Sequence, residues 1–130
     1  MAIDIRAAAR TYRKRRETEE AALRERLGAM QDAASTLIAH VRDAYSPVRI
    51  YQWGSLVDSR FFSAISDIDI AVEGIVKLET WLQLEKELFE MTDYPLDLVR
   101  WENLLQEHRE QIFRRGRVVY QRSPQDQTDE

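Results

Sequence analysis

The sequence contains no cysteine among its 130 residues. Disulfide bonds and thiolate chemistry are therefore excluded, and the redox state of the compartment places no constraint on the chain. The sequence also has no apolar run long enough to span a bilayer, and its N-terminus lacks the apolar block of a signal peptide. We therefore expect a cytoplasmic protein with no membrane contact.

A strong excess of charge of one sign is also missing, since the formal net charge is only −4. The charges are nevertheless unevenly placed. Residues 1–50 carry ten basic and seven acidic side chains, whereas residues 51–130 carry nine and sixteen. The basic N-terminal region could meet nucleic acid or an acidic partner, but the overall balance leads us to expect no direct nucleic-acid binding. The length predicts one domain.

Proline is absent from the first 46 residues, and only Gly28 is a weak point in a helical pattern there. Apolar residues recur at spacings of three and four, which places them on one helical face. They are Leu23, Leu27, Met30, Ala34, Leu37, Ile38, Val41 and Tyr45. We expect a long helix whose apolar face covers a sheet.

The beginning of this helix is a cluster of basic residues with little apolar character: Arg10, Arg13, Lys14, Arg15 and Arg16. Such a run is usually a solvated face, and a docking arm for a partner protein or RNA is the alternative. A helix over residues 3–44 would be about 60 Å long, too long for a small domain to cover. We expect a projecting or broken first part, and divide the chain into a basic helical arm (1–20), a domain (21–122) and a disordered tail (123–130).

The remaining pattern predicts an α/β (α+β) fold, with a small mixed sheet flanked by helices and an extended N-terminal helix. Phe61 and Phe62 are expected to pack inward, although one of them could flank a ligand cleft. His108 is interpreted as a partly exposed helix residue. The predicted strands are residues 48–53, 67–73, 94–100 and 118–120, and the predicted helices are 55–63, 77–91 and 101–115.

Two carboxylates lie on the second predicted strand. Because side chains alternate along a strand, Asp67 and Asp69 share one face, while Ile68, Ile70 and Val72 share the other and can enter a core. Neighbouring carboxylates repel each other unless a cation lies between them. The usual cation for an all-oxygen site is Mg²⁺, with water and phosphate oxygens as further ligands.

A Gly54-Ser55 pair ends the preceding strand, where glycine lets the backbone approach a ligand and present N–H groups to phosphate. This pair, a spacer with Arg60, and residues 66–70 (Ser-Asp-Ile-Asp-Ile) resemble the signature of the polymerase-beta-type nucleotidyltransferase superfamily. The compact length resembles its minimal nucleotidyltransferase branch. The resemblance covers roughly residues 36–120, and it implies the fold of that superfamily.

The resemblance implies catalysis with two Mg²⁺ ions and ATP as substrate. Asp67 and Asp69 would bind both ions, and Asp97 on the third strand would complete the metal site. Without the resemblance, an edge strand with Asp97 exposed to solvent is a fair competing interpretation.

The same resemblance assigns nucleotide contacts to Gly54, Ser55, Arg60 and Ser66, with Arg60 neutralising phosphate charge. The sequence departs from the family pattern Gly-Ser-x-Ala-x-Gly, because Ser59 replaces its second glycine. Asp58 also adds a negative charge near the phosphate site. Both departures are expected to retune or weaken nucleotide binding.

The minimal branch resembles the antitoxin of a toxin–antitoxin pair, which transfers AMP from ATP to a tyrosine of a HEPN-type ribonuclease toxin. We therefore expect a nucleotide triphosphate and a HEPN-type toxin as partners. Two alternatives remain open at this point. One is transfer to a small molecule, as in aminoglycoside-modifying relatives, and the other is a non-catalytic subunit that neutralises a partner by contact.

Overall fold

A computed structural model describes residues 2–124 of the protein, and its longest element is helix α1, Ile5–Tyr45. The Asp4 side chain caps the first turn by accepting hydrogen bonds from the backbone N–H groups of Arg6 and Ala7. The helix ends where Ser46 takes the left-handed conformation, one residue before a proline that disfavours helix in its predecessor. The helix is continuous across Gly28 and therefore unbroken.

Burial along α1 is confined to its second half. The fully buried positions are Met30, Ala34, Leu37 and Val41, and Leu23 and Leu27 are partly buried against the same core. Almost all residues before Leu23 are exposed. The first half of the helix thus projects from the domain. A boundary at residue 20 stays a prediction, because the helix passes through it without change.

Four strands form one mixed sheet: β1 Arg49–Trp53, β2 Ile68–Glu73, β3 Leu96–Arg100 and β4 Arg117–Gln121. Their order is β3-β2-β1-β4, so β3 and β4 are the edges. β1 is antiparallel to both of its neighbours, and β2 and β3 are parallel. The predicted mixed sheet flanked by helices is confirmed.

The two faces of the sheet bury different clusters. On one face, Ile50, Ile70 and Val72 pack against α1 and against helix α2, Leu78–Met91. On the other face, Tyr51 and Ala71 pack beside helix α3, Gln106–Arg115. This division follows the alternation of the strands and confirms that Ile68, Ile70 and Val72 face a core.

The prediction of one helix over residues 101–115 was wrong in its first part. Residues Trp101–Asn103 form a 3-10 turn, and Leu104 and Leu105 are extended before α3 begins. Trp101 is buried and its ring stacks on Tyr51, with centroids 4.0 Å apart. This packing holds Trp101 against the sheet, so the chain must turn before a helix can start.

The predicted helix over residues 55–63 was also wrong, because two 3-10 turns, Gly54–Leu56 and Ser59–Phe61, replace it. Between them the Asp58 side chain accepts a hydrogen bond from the backbone N–H of Arg60, a local bond that competes with helix formation. Phe62 is buried as predicted, whereas Phe61 is exposed.

The predicted C-terminal tail and the predicted lack of membrane contact can be compared with the structure only in part. Residues 125–130 of the predicted disordered tail lie outside the described residues. Within residues 2–124, none of the helices has an apolar stretch long enough to cross a bilayer.

Candidate active site

The strand register places Asp97 beside Asp69. Asp97 pairs directly with Asp69 across the parallel strands β2 and β3, and Trp53 pairs with Asp69 across β1 and β2. Residues that pair directly project to the same side of a sheet. Trp53, Asp69 and Asp97 therefore form a row on the face that α3 covers. β3 is an edge strand and Asp97 is exposed, as the competing interpretation held, yet it lies on the same side as Asp69.

The electrostatic state of Asp69 reflects this arrangement. Asp69 is half-buried, and burial is the main cause that raises its pKa from the ordinary 3.8 to about 7. The neighbouring charges of Asp97 and then Asp67 raise it further. Asp67 is exposed just before β2 begins. The three acidic residues are thus close enough to affect one another, and a cation near them would relieve their repulsion.

The bend at Gly54 is packed against Asp69. Gly54 has a φ of +80°, a left-handed conformation that favours glycine. A Cβ atom added there would overlap Asp69 Oδ2 and would lie 3.0 Å from its Cγ. Glycine is therefore required both by the backbone conformation and by the close approach of the carboxylate.

A cavity of about 400 Å³ opens beside this bend, between β3 and α3. Its walls include Gly54, Ser55 and Asp97 from the predicted site, and the Ser55 hydroxyl has no hydrogen-bond partner among residues 2–124. The apolar part of the wall comes from Trp53, Phe61, Val99, Leu104 and Ile112. Phe61 thus flanks the cavity. The cavity joins the glycine-serine bend to the edge where Asp97 lies.

Arg60 and Ser66 do not line this cavity. The side chain of Arg60 is 80% exposed, and its Nε and Nη2 donate to the two carboxylate oxygens of Asp58 at 2.8 and 2.7 Å. Asp58 itself lines the cavity, and Arg60 partly balances the negative charge that is expected to oppose phosphate there. The Ser66 hydroxyl accepts a hydrogen bond from the backbone N–H of Ser63 at 2.9 Å, which closes the turn before β2.

Three polar residues of α3 also line the cavity, and the sequence analysis did not assign them to the site: His108, Gln111 and Arg115. They lie at spacings of three and four residues, which places them on one face of the helix. His108 is exposed on its helix as predicted, but it also faces this cavity. The spacing alone could have grouped the three, although nothing in it says that they face the carboxylates.

The donor set suits Mg²⁺ that is bound together with phosphate. Among residues 2–124, no group of three or more His, Asp or Glu side chains is arranged as a complete metal-binding set. Mg²⁺, however, is usually held by one or two carboxylates together with water and substrate phosphates. The paired Asp69 and Asp97 supply such carboxylates beside the glycine-serine bend. The residues present therefore fit this ion.

Comparison with known proteins decides the family. The sequence profile described as "Polymerase beta, Nucleotidyltransferase" matches residues 36–125, which is more than half of the chain. The chain belongs to this nucleotidyltransferase family. The matched region contains all the predicted site residues, from the Gly54-Ser55 bend to Asp97. No curated protein sequence is significantly similar to this nucleotidyltransferase.

Several solved structures are similar to this nucleotidyltransferase in fold. One is a toxin–antitoxin with AMP-PNP, which is 25% identical, with 72% of this chain and 76% of that chain covered and a TM-score of 0.56. A second, 24% identical, is a tri-AMPylated HEPN toxin from Shewanella oneidensis in complex with an MNT antitoxin, with 75% and 76% covered and a TM-score of 0.51. A third, the toxin–antitoxin MntA-HepT, is also 24% identical, with 74% and 75% covered and a TM-score of 0.51.

Proposed function

We propose that the protein is a Mg²⁺-dependent nucleotidyltransferase that transfers AMP from ATP to a tyrosine hydroxyl of a HEPN-type toxin, and thereby acts as its antitoxin. The observation that carries the proposal is the direct pairing of Asp69 with Asp97 next to the Gly54-Ser55 bend. Carboxylates and a phosphate-binding bend are the two parts that nucleotidyl transfer requires. The similar solved structure that contains AMP-PNP supports the choice of nucleotide.

In this reaction the acceptor hydroxyl oxygen forms a bond to the α-phosphorus of ATP. The bond from that phosphorus to the oxygen bridging the α- and β-phosphates breaks, and pyrophosphate leaves. Bound Mg²⁺, two ions held by Asp67, Asp69 and Asp97, would neutralise charge on the phosphates and the leaving group. Gly54 and Ser55 hold the triphosphate through backbone N–H groups and the Ser55 hydroxyl. The carboxylate of Asp97 accepts the proton of the attacking hydroxyl.

The position of Asp97 suits an acceptor that another protein presents. Asp97 is exposed on the edge strand β3, and the cavity beside it is open to solvent. A tyrosine on a partner's surface could therefore reach the carboxylates without any opening of the fold. The toxin–antitoxin complexes that share this fold motivate the HEPN toxin as that partner.

The test is incubation of the protein with Mg²⁺, ATP labelled on its α-phosphate, and the HEPN-type toxin encoded by the neighbouring gene. We expect label on a toxin tyrosine, located by mass spectrometry, and none when EDTA is added or that tyrosine is replaced by phenylalanine. Transfer of label to the toxin without Mg²⁺, or no transfer at all, would contradict the proposal.

A second candidate is a non-catalytic antitoxin that neutralises the toxin by contact alone. It is favoured by the ion pair of Arg60 with Asp58 outside the cavity wall, because an arginine held there supplies no positive charge to phosphate. The two candidates differ in their need for nucleotide. Tight complex formation and toxin inhibition in the absence of ATP, with no label transferred in its presence, would support the second.

A further inference from the structure

Among residues 2–124, one arginine and no lysine lines the cavity together with the glycine-serine bend, and this arginine comes from α3. Arg115 is the last residue of α3 and lines the same cavity as Gly54 and Ser55. The next residue, Gly116, is packed so closely on β1 that an added Cβ would lie 2.9 Å from Trp53 Cβ. Trp53 directly precedes Gly54, so this contact holds the end of α3 beside the bend.

The guanidinium of Arg115 has no partner that a ligand would have to displace. Within the part of the chain that the structure describes, its side chain forms no hydrogen bond or ion pair, and its charge acts at longer range on Asp58, another residue of the cavity wall. The other candidate, Arg60, has the Nε and Nη2 donors of its guanidinium committed to Asp58 and lies outside the cavity wall. Arg114, the neighbour of Arg115 in the same last turn, is paired with Glu110 at 3.6 Å and does not line the cavity.

We propose that Arg115, rather than Arg60, binds the β- and γ-phosphates of the nucleotide and positions pyrophosphate as the leaving group. The inference rests on the proposed function, because it concerns the same bend and cavity. A guanidinium beside backbone N–H groups is well suited to a polyphosphate, since it presents several donors in a plane to phosphate oxygens. AMP lacks these two phosphates, so Arg115 should not contribute to its binding.

The test compares ATP and AMP binding by calorimetry in the presence of Mg²⁺, for the parent protein and four variants, one of which is Arg60→Ala. Arg115→Ala should weaken ATP binding by about 10- to 100-fold, which is the usual size of a charge-assisted hydrogen bond, and should leave AMP binding unchanged. Arg115→Lys should restore part of the affinity for ATP. Arg114→Ala is the matched control and should bind both nucleotides as the parent does.

The outcomes separate this inference from the proposed function. If Arg115→Ala binds ATP like the parent, or loses ATP and AMP equally, the inference is overturned while transfer to the toxin can still stand. A loss of ATP affinity in Arg60→Ala with none in Arg115→Ala would also overturn it. If ATP affinity depends on Arg115 but no label reaches the toxin, the inference holds and the proposed function fails. A parent that binds no ATP would overturn both.

Discussion

Gly54 and Asp69 lie so close together that any side chain at position 54 would overlap the carboxylate of Asp69. The left-handed backbone at Gly54 adds a second reason for glycine there. The glycine-serine bend and the half-buried carboxylate are therefore not independent parts of the candidate site. A change in one displaces the other, because nothing separates them.

Gly54→Ala should lower both stability and transfer. The left-handed conformation costs an alanine about 1–2 kcal/mol, and displacement of a carboxylate by about 1 Å can cost about 100-fold in rate. Gly28→Ala is the matched control, because a methyl group there meets nothing within 4 Å. In that helix alanine should raise the free energy of unfolding by about 1 kcal/mol. Denaturant unfolding measures the stability of the two variants, and the labelling assay measures their rate of transfer. Equal effects of Gly54→Ala and Gly28→Ala would contradict the close packing of Gly54 on Asp69.

The pKa of Asp69 predicts a pH dependence of stability in the absence of divalent cations. Because the folded state raises the pKa to about 7 from 3.8, folding favours the protonated carboxyl. The resulting stabilisation is complete below about pH 4 and is lost as pH rises through 7. Denaturant unfolding of the parent in EDTA should show this loss between about pH 4 and 7, and Asp69→Asn should reduce it. Mg²⁺ at pH 8 should stabilise the parent more than the variant.

Loss of Asp97 should abolish transfer while the fold stays intact. Asp97→Asn removes a proton acceptor and a metal ligand, and we expect at least about a 100-fold loss of rate. The side chain is exposed, so the free energy of unfolding should change by less than about 0.5 kcal/mol. Asp67→Ala and Asp69→Ala should also abolish transfer.

Asp93→Asn is the control for these carboxylate variants, because Asp93 is exposed in the loop before β3 and does not line the cavity. It should transfer label at the parental rate. Parental activity in Asp97→Asn would mean that β3 contributes no acidic group to catalysis.

Deletion of residues 2–20 tests the division of the chain into arm and domain. Among the apolar residues of α1 that contact the core, Leu23 and Leu27 are the first. The deletion should therefore change the free energy of unfolding by less than about 1 kcal/mol, since exposed residues contribute little. A large loss would show that the arm belongs to the folding unit. Comparing toxin binding by the full-length and shortened proteins would show whether the arm contacts the partner.

The local pattern of apolar residues was sufficient to predict most of the fold. The alternation in β2 identified which residues enter the core, and the spacing of Met30, Leu37 and Val41 identified the buried face of α1. The predicted helices over residues 55–63 and 101–115 were wrong because tertiary contacts or side-chain hydrogen bonds override helix formation there. Trp101 is held on Tyr51, and Asp58 bonds the backbone of its own loop.

The sequence by itself determined the types of chemistry that the site can carry, because a Gly-Ser pair and the two Asp residues of an Asp-x-Asp strand are each local features of the chain. Only the tertiary structure decided which groups meet. The parallel register brings Asp97 beside Asp69, the bidentate ion pair commits Arg60 to Asp58, and the packing of Gly116 on β1 brings Arg115 to the bend. Strand register and helix docking depend on contacts between residues far apart in the chain, which spacing along the sequence does not encode.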